Sequence, residues 1–298
     1  MITTADSRTG LFYGIAANVL WGVLPLYLNL LKGVDALQVL SHRVVWSLLV
    51  FGTLLALWGR LRPLVAAARG RTLGLLAVSA ALIAVNWFVY IWSAANGHLV
   101  EASLGYFITP LVNVALGTML LKERIARSQA VAIGVAGAGV LILAATGGGQ
   151  IWISLTLALS FGFYGLIRKV VAIDALGGLS IETALLAPLA LCLLFYFGSM
   201  GEAAFGQSGR TDALLILAGP ITALPLLFFA AGAKRLRYTT LGLLQFIAPT
   251  LLLAEAVLLY QEPIGPIQLA TFGMIWIGCG LYAWSSMNSS KDMTAHPS

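Results

Sequence analysis

Amide, hydroxyl and aromatic side chains recur at helical spacing within stretches that are otherwise apolar. Asn18, Trp21 and Asn29 fall on one face of a helix, with Gly22 and Pro25 between them. Polar groups are costly inside hydrocarbon, so they are candidates for function. They could line a polar cavity, or each could hydrogen-bond a neighbouring helix. The whole set favours a cavity suited to a partly apolar solute, and its predicted lining is Asn18, Trp21, Asn86, Trp87, Tyr90, Tyr106, Thr109, Asn113 and Gln245.

Arg43 and Glu182 are charged residues that lie well inside apolar stretches. Each is about seven residues from the start of its stretch, which is roughly 10 Å along an α-helix. We expect the two side chains near opposite ends of a helical bundle. We therefore predict one polar gate around His42 and Arg43 and a second gate around Glu182. The alternative for Arg43 is a side chain that snorkels or pairs with a structural neighbour.

Protonatable side chains leave proton coupling open without requiring it. The candidates are Glu101, Glu182, Glu255, His42 and His98, although a carboxyl near a helix end can simply face water. His98 and Glu101 are one helical turn apart, but no third or fourth metal ligand is apparent. The sequence contains no zinc-protease motif, phosphate-binding loop or nucleophile elbow. We predict no catalytic residue, no metal, no cofactor and no enzymatic activity.

The elements that must position these groups follow from the composition. Of the 298 residues, 60% are hydrophobic and 9% are charged, whereas soluble domains carry about 25% charge. This composition excludes an ordinary soluble globular protein. The net charge of +6 does not predict nucleic-acid binding, because the charges fall in short connections rather than on one face. Cys192 and Cys279 lie in apolar stretches and predict neither a disulfide nor a metal site.

Hydropathy predicts an all-α polytopic membrane protein with ten transmembrane helices, each near the 20 residues that about 30 Å of hydrocarbon requires. The predicted spans are 10–30, 36–58, 72–95, 99–121, 128–146, 151–167, 176–198, 213–232, 238–260 and 266–284. Most lysines and arginines fall in the connections that alternate spans place on one side, against Lys32 and Arg210 on the other. The positive-inside rule therefore predicts that both termini are cytoplasmic.

The two halves of the chain are related by an internal repeat. A shift of 139 residues aligns 107–139 with 246–278 at ten identical positions, and it also aligns Arg43 with Glu182. Five spans per repeat place the second copy in the opposite orientation. We predict repeats at 1–146 and 147–298, with a disordered tail at 286–298. The fifth span of each repeat is expected to be a peripheral strut, because the first of them is rich in small residues that favour close packing.

Several short motifs together resemble one known family. They are Trp21-Gly22, Pro25-Leu26-Tyr27, SHRVVWS at 41–47, Asn86-Trp87, NGHLVEASLGYFITP at 96–110 and TLGLLQFIAPT at 240–250. Their order and spacing resemble the RarD branch of the EamA family, in the drug/metabolite transporter superfamily, over nearly the whole chain. The resemblance implies ten helices in two inverted five-helix repeats. It also implies a central cavity lined by spans one to four and six to nine.

This resemblance and the polar face together predict a secondary transporter of the inner or plasma membrane. Its expected cargo is a small metabolite or an amphipathic drug-like compound, moved outward by alternating access. Two alternatives stay open: an intramembrane lipid-modifying enzyme and a non-transporting membrane assembly or sensor protein. The expected partners are the lipid bilayer and a small-molecule substrate, with no nucleic acid, and a homodimer is left open.

Overall fold

A computed structural model describes residues 4–95, 98–146, 151–259 and 266–295 of the protein. This part of the chain is helical, with no strand. Its helices are α1 (Thr4–Leu30), α2 (Ala36–Leu57), α3 (Leu61–Ala67), α4 (Gly70–Ala95), α5 (Leu99–Met119), α6 (Arg127–Thr146), α7 (Ile151–Val170), α8 (Ala175–Ser199), α9 (Gly209–Arg235), α10 (Tyr238–Leu244), α11 (Ile247–Leu258) and α12 (Pro266–Ala295). Six of these described helices are long and apolar enough to span a membrane, and α5, α6 and α12 contain shorter apolar segments. The predicted all-α polytopic fold is confirmed.

The first eight predicted spans match single helices to within six residues at each end. The last helix differs more, because α12 continues to Ala295, past the predicted end at 284 and through most of the tail that we predicted to be disordered. No proline or glycine interrupts 285–295, so nothing in that stretch breaks the helix. Residues 296–298 lie outside the described part.

A short helix, α3, occupies the connection between α2 and α4, which the sequence predicted as a loop. Arg60 at its start forms an ion pair with Asp174, 2.6 Å away. Asp174 also caps α8 by accepting a hydrogen bond from the Gly177 N–H. Asp35 caps α2 in the same way, through the first N–H groups of that helix. The two aspartates are 139 residues apart, so the repeat preserves this cap.

The ninth span is two helices rather than one. α10 and α11 are separated at Gln245 and Phe246, which interrupts the predicted span 238–260. Pro249 favours a break here, because proline has no N–H and its ring clashes with the carbonyl four residues earlier, here that of Gln245. The matching proline of the first repeat, Pro110, lies inside the unbroken helix α5.

The packing of the helices has the symmetry of two exchanged repeats. α1 packs against α9, and its counterpart in the second repeat, α7, packs against α4. In the same way, α5 packs against α7, and its counterparts α10 and α11 pack against α1. α2 packs against its counterpart α8, and α6 packs against its counterpart α12. The last contact is close, since a Cβ on Gly278 would lie 2.6 Å from the backbone oxygen of Ala132. α6 and α12 therefore pair mainly with each other.

Different contacts hold the helices together at the two ends of the bundle. We call one end the basic end, because it carries the connections after α2, α5, α7 and α9, where arginines and lysines concentrate. There Asp6 forms an ion pair with Arg235 at 3.2 Å. At the opposite end, the Tyr27 hydroxyl donates a hydrogen bond to the Leu214 carbonyl oxygen at 2.6 Å. The Gln38 amide there bonds the connection between α8 and α9.

Candidate functional site

A cavity of about 170 Å³ lies between helices of both repeats. Eight of the nine predicted cavity residues line it: Asn18, Trp21, Asn86, Trp87, Tyr90, Tyr106, Thr109 and Gln245. The remaining wall residues are Leu24, Leu28, Arg43, Phe161, Thr222, Leu226, Ala248 and Pro249. Spans one to four, six, eight and nine supply these side chains. The seventh span, α8, supplies none of them, although the resemblance implied that it would; α8 packs instead against α2, α4 and α9.

The cavity occupies the half of the bundle nearer the opposite end. Leu28 is two residues before the end of α1, about 3 Å along the helix axis. Toward the basic end, the space between the helices is filled by side chains such as Phe229 and Tyr238, both 0% exposed. The Tyr238 hydroxyl also donates to the Gly162 carbonyl oxygen at 2.5 Å, which ties α10 to α7. The described side chains therefore close the cavity toward the basic end.

Asn113, the ninth predicted residue, lies behind the wall rather than in it. Its side-chain N–H donates to Oε1 of Gln245, and Asn113 is 0% exposed. α10 approaches α5 closely here, since a Cβ on Gly242 would lie 2.9 Å from the Pro110 carbonyl oxygen. The bond between the two helices holds the Gln245 side chain at the break between α10 and α11.

Most amide and hydroxyl donors of the predicted face are used within the protein. Nδ2 of Asn86 donates to the Leu157 carbonyl at 2.9 Å and to the Ser160 hydroxyl at 3.0 Å. Nδ2 of Asn18 and the Thr109 hydroxyl each donate at 2.8 Å to the backbone oxygen four residues earlier. The N–H groups of Asn86 and the O–H of Thr109 are therefore used within the protein, and Asn18 uses one of its two N–H groups in this way.

Arg43 is the charged residue of the cavity wall. Its Nε–H donates to the Thr222 hydroxyl at 2.6 Å, and the guanidinium carbon lies 5.4 Å from the centre of the Trp87 ring. Among the described residues, no carboxylate lies within 4 Å of it to form an ion pair. Thr222 was missed by the sequence reasoning, because one hydroxyl in a long apolar span gives a weak signal.

The remaining wall is largely aromatic. Trp21 meets Phe161 edge to face with ring centres 5.5 Å apart, and Tyr90 meets Tyr106 in the same way at 5.9 Å. Phe161 was not predicted, because a phenylalanine in an apolar span is indistinguishable from a core residue. Aromatic faces and edges of this kind suit a flat, partly apolar ligand.

Three other predicted gating or coupling residues lie away from the cavity wall. His42 is buried and stacks on Phe205, in the connection between α8 and α9, with ring centres 5.3 Å apart. Glu101 pairs with His98 at 3.5 Å at the opposite end. Glu255 lies in α11, beyond the cavity residue Pro249.

Glu182 lies at the packed basic end, where it pairs with Arg168. Oε1 of Glu182 is 3.5 Å from Nη1 of Arg168 and accepts a hydrogen bond from the Ser79 hydroxyl at 2.5 Å. Arg168 is 0% exposed and donates to the Ala175 carbonyl oxygen at 2.9 Å. The sequence reasoning placed Arg168 in a connection, because a charge next to the end of an apolar stretch normally marks topology. It did not single out Ser79, which lies seven residues before Asn86 in the same span.

The described residues contain no cluster of three or more His, Cys, Asp or Glu side chains that could hold a metal ion. The cavity wall likewise offers no nucleophile paired with a base. Its chemistry is that of one arginine, several aromatic rings and amide or hydroxyl groups that are mostly bonded within the protein. Such a site can bind and orient a solute.

Comparison with known proteins points to membrane transport. The model of the EamA-like transporter family matches residues 8–145. The chain is 44% identical to the protein RarD of Streptomyces exfoliatus, over 96% of this chain and 91% of that protein. It is also 44% identical to an uncharacterized transporter of Pseudomonas aeruginosa, over 97% and 98% of the two chains. The RarD protein of Escherichia coli is 40% identical over 96% and 97%.

The fold also has a counterpart among solved structures. A crystal structure of a protein with 17% sequence identity matches 92% of this chain and 97% of its own chain, with a TM-score of 0.71. At that identity the likeness shows a shared fold and carries no information about the solute.

Proposed function

Because this chain belongs to the RarD branch of the EamA-like transporter family, we propose that it is a secondary transporter. Its cargo is a small metabolite or an amphipathic drug-like compound, which it carries outward by alternating access without chemical change. The cavity at the interface of the two repeats is the substrate site. The basic end faces the cytoplasm, in accordance with the positive-inside rule.

The observation that carries this proposal is the one-sided closure of the cavity. The wall residues reach within one helical turn of the opposite end, while the basic end is filled by buried side chains. Alternating access requires a binding site that opens to one side of the membrane at a time, between repeats that rock against each other. The present arrangement corresponds to the state that faces outward.

The packed basic end is the inner gate in this proposal. For the site to open to the cytoplasm, the ion pair between Arg168 and Glu182 and the contact of Tyr238 with α7 must separate or move as a unit. His42 and Arg43, near the opposite end, belong to the outer gate. Proton coupling through Glu101, Glu182, Glu255 or His42 is tested by adding a pH gradient.

Exposed apolar side chains support the lipid bilayer as the surrounding medium. Phe195 is 79% exposed, Leu57 is 76% exposed and Leu189 is 61% exposed. Side chains of this size and exposure on several helices would form an unfavourable surface in water. In a bilayer they face acyl chains.

The test measures transport with a blocked cavity and a matched control. Inverted membrane vesicles containing wild-type protein, Ala248→Trp or Leu189→Trp at equal abundance are incubated with a metabolite library, and retained compounds are identified by mass spectrometry. Ala248 lines the cavity, so the indole fills the site, whereas Leu189 faces outward. We expect wild type and Leu189→Trp to accumulate the same compound and Ala248→Trp to lose it.

The direction of transport is tested by repeating the measurement with right-side-out vesicles, and coupling to protons is tested by imposing a pH gradient. Equal accumulation by wild type, Ala248→Trp and Leu189→Trp contradicts a transport role for this cavity. A modified product in the vesicles would instead favour an enzyme.

A further inference from the structure

The guanidinium of Arg43 has unused donors that face the cavity. Arginine carries five N–H donors, and the Nε–H is bonded to the Thr222 hydroxyl. No acceptor among the described residues takes the N–H groups of the two terminal nitrogens, Nη1 and Nη2. The Trp87 ring covers one side of the group at 5.4 Å and leaves its edge for a ligand. The strongest hydrogen-bond donors of the cavity are therefore free.

The positive charge of Arg43 is also uncompensated by the protein. The described acidic side chains that form ion pairs do so elsewhere, with Arg60, His98, Arg168, Arg235 and Arg237 as partners. Asp35 caps α2, and the Asp212 carboxylate accepts a hydrogen bond in the connection before α9. The cavity wall itself contains one arginine and no acid. An unpaired charge among apolar helices is costly unless a solvent or ligand group compensates it.

The other wall groups restrict what the ligand can be. The donors of Asn86 and Thr109 are bonded within the protein, and the uncharged donors left in the wall, such as the Gln245 amide and the Tyr106 hydroxyl, form weaker hydrogen bonds than a guanidinium does. A cationic solute would meet the charge of Arg43 with no carboxylate in the wall to offset the repulsion. The aromatic side chains favour a flat or apolar body.

We infer that the solute is a small organic anion, with a carboxylate or related oxyanion bound by the terminal nitrogens of Arg43 and an apolar or aromatic body held by the surrounding rings. This inference rests on the proposed function, and it specifies the substrate class for the same site. The fork of an arginine matches two oxygens of a carboxylate or phosphonate through parallel hydrogen bonds. Thr222 and Trp87 hold the guanidinium plane in position for this contact.

The test uses probes of one shape and different charge. Phenylacetate and phenylphosphonate are compared with the neutral phenylacetamide and the cationic phenethylamine, using the purified full chain in detergent. Binding is followed as the rise in the melting temperature with probe concentration, since a ligand of the native state raises stability. We expect one or both anions to raise Tm and the neutral and cationic analogues to bind about tenfold more weakly or worse.

Variants at position 43 identify the group responsible. Arg43→Met is expected to lose the preference for the anions, and Arg43→Lys to keep it in part, because lysine retains the charge without the fork. Arg210→Met is the matched control, since Arg210 is exposed at the same end of the bundle and outside the wall. This control tests whether the rise in Tm with the anions comes only from binding to positive charge on the protein surface. Unliganded Tm values of all three variants report whether they are folded.

The outcomes separate this inference from the proposed function. The inference is overturned if neither anion raises Tm, if phenylacetamide or phenethylamine binds as well as the anions, or if Arg43→Met binds the anions like wild type. The transport proposal is judged independently by whether vesicles accumulate solute. Transport of a cation would overturn the inference of an anionic solute and support the transporter function. Anion binding without any transport would support the anion site and contradict the transporter function.

Discussion

Arg43 and Arg168 both lie inside the helical bundle, but their surroundings differ. Arg168 is 0% exposed and has a carboxylate 3.5 Å away, together with a backbone oxygen that accepts a hydrogen bond. Arg43 has a hydroxyl and an indole ring as neighbours and opens onto a cavity. One arginine is part of a filled core, and the other lines the cavity of the proposed binding site.

The internal repeat sharpens this contrast. Arg43 and Glu182 occupy equivalent positions of the two repeats, 139 residues apart. The second repeat therefore has a carboxylate, Glu182, at the position where the first repeat has Arg43. Glu182 lies at the other end of the bundle and pairs with Arg168. Equivalent positions of the two halves thus differ in charge, so that one position forms a closed ion pair and the other faces the cavity of the proposed binding site.

The largest effect is expected from breaking the closed contact. Glu182→Gln preserves size and can still bond Ser79, but it leaves Arg168 as a buried cation that cannot lose its proton. Breaking a buried pair in this way costs about 3–5 kcal/mol. We expect a large drop in Tm, measured by thermal unfolding of the purified protein in detergent.

Two further variants make this prediction specific. Asp6→Asn removes the carboxylate of an exposed pair with Arg235 and should cost at most about 1 kcal/mol. Adding Arg168→Met to Glu182→Gln removes the stranded charge and should restore part of the loss. A Glu182→Gln protein as stable as Asp6→Asn would show that the pair contributes little.

A smaller loss should follow from filling the space that Arg168 occupies. A Cβ added to Gly178 would overlap Nη1 of Arg168, so Gly178→Ala must displace the guanidinium. Forcing extra atoms into a packed core typically costs about 1–3 kcal/mol. Gly198→Ala in the same helix is the control, because a Cβ there meets nothing within 4 Å. If both alanine variants unfold at the same temperature, the close fit around Arg168 is not important for stability.

The helices were predictable because hydropathy and length leave little choice in a membrane. The break in the ninth span was not, although Pro249 was visible in the sequence. Pro110 sits in the same Phe-Ile-x-Pro motif and leaves α5 continuous, so the motif alone does not decide the outcome. The surroundings of the two prolines also differ, since α10 approaches the Pro110 carbonyl closely at Gly242.

The candidate site was predictable where helical periodicity collected polar groups on one face, as for Asn18 and Asn86. The roles of these groups were not, because a hydrogen bond between helices depends on which helices meet. Asn113 was assigned to the wall but bonds Gln245 from behind it. Arg168 was read as a topology marker, because the sequence gives no sign that its neighbour in space is Glu182.

The binding site can be weakened without removing its charge. Trp87→Leu removes the ring beneath the Arg43 guanidinium, an interaction worth about 0.5–2 kcal/mol. We expect anion binding to weaken by roughly twofold to thirtyfold, measured by titration of phenylacetate against Tm. Trp21→Leu removes a wall ring that contacts Phe161, and it should weaken phenylacetate and phenylacetamide equally. An identical response of both variants would show that Trp87 acts only as an apolar surface.

The smallest effect is expected at Thr222, which fixes the plane of the guanidinium. Its hydroxyl donates to the Ala218 carbonyl at 2.7 Å and accepts from the Arg43 Nε–H at 2.6 Å, so its O–H orients a lone pair toward Arg43. Thr222→Val removes the acceptor, but water in the cavity can replace it, and the net cost of such a bond is about 0.5–1.5 kcal/mol. Anion binding should weaken by roughly twofold to tenfold with unliganded Tm nearly unchanged.

Thr222→Ser distinguishes positioning from packing, because it keeps the hydroxyl and loses only the methyl group. The Thr222→Ser variant should bind phenylacetate like wild type, and the Thr222→Val variant should lose more affinity for phenylacetate than for phenylacetamide. If both variants bind phenylacetate equally weakly, the methyl group rather than the bond to Arg43 determines binding. The same substitutions leave Arg168 untouched, so an effect confined to ligand binding would separate the open arginine from the closed one.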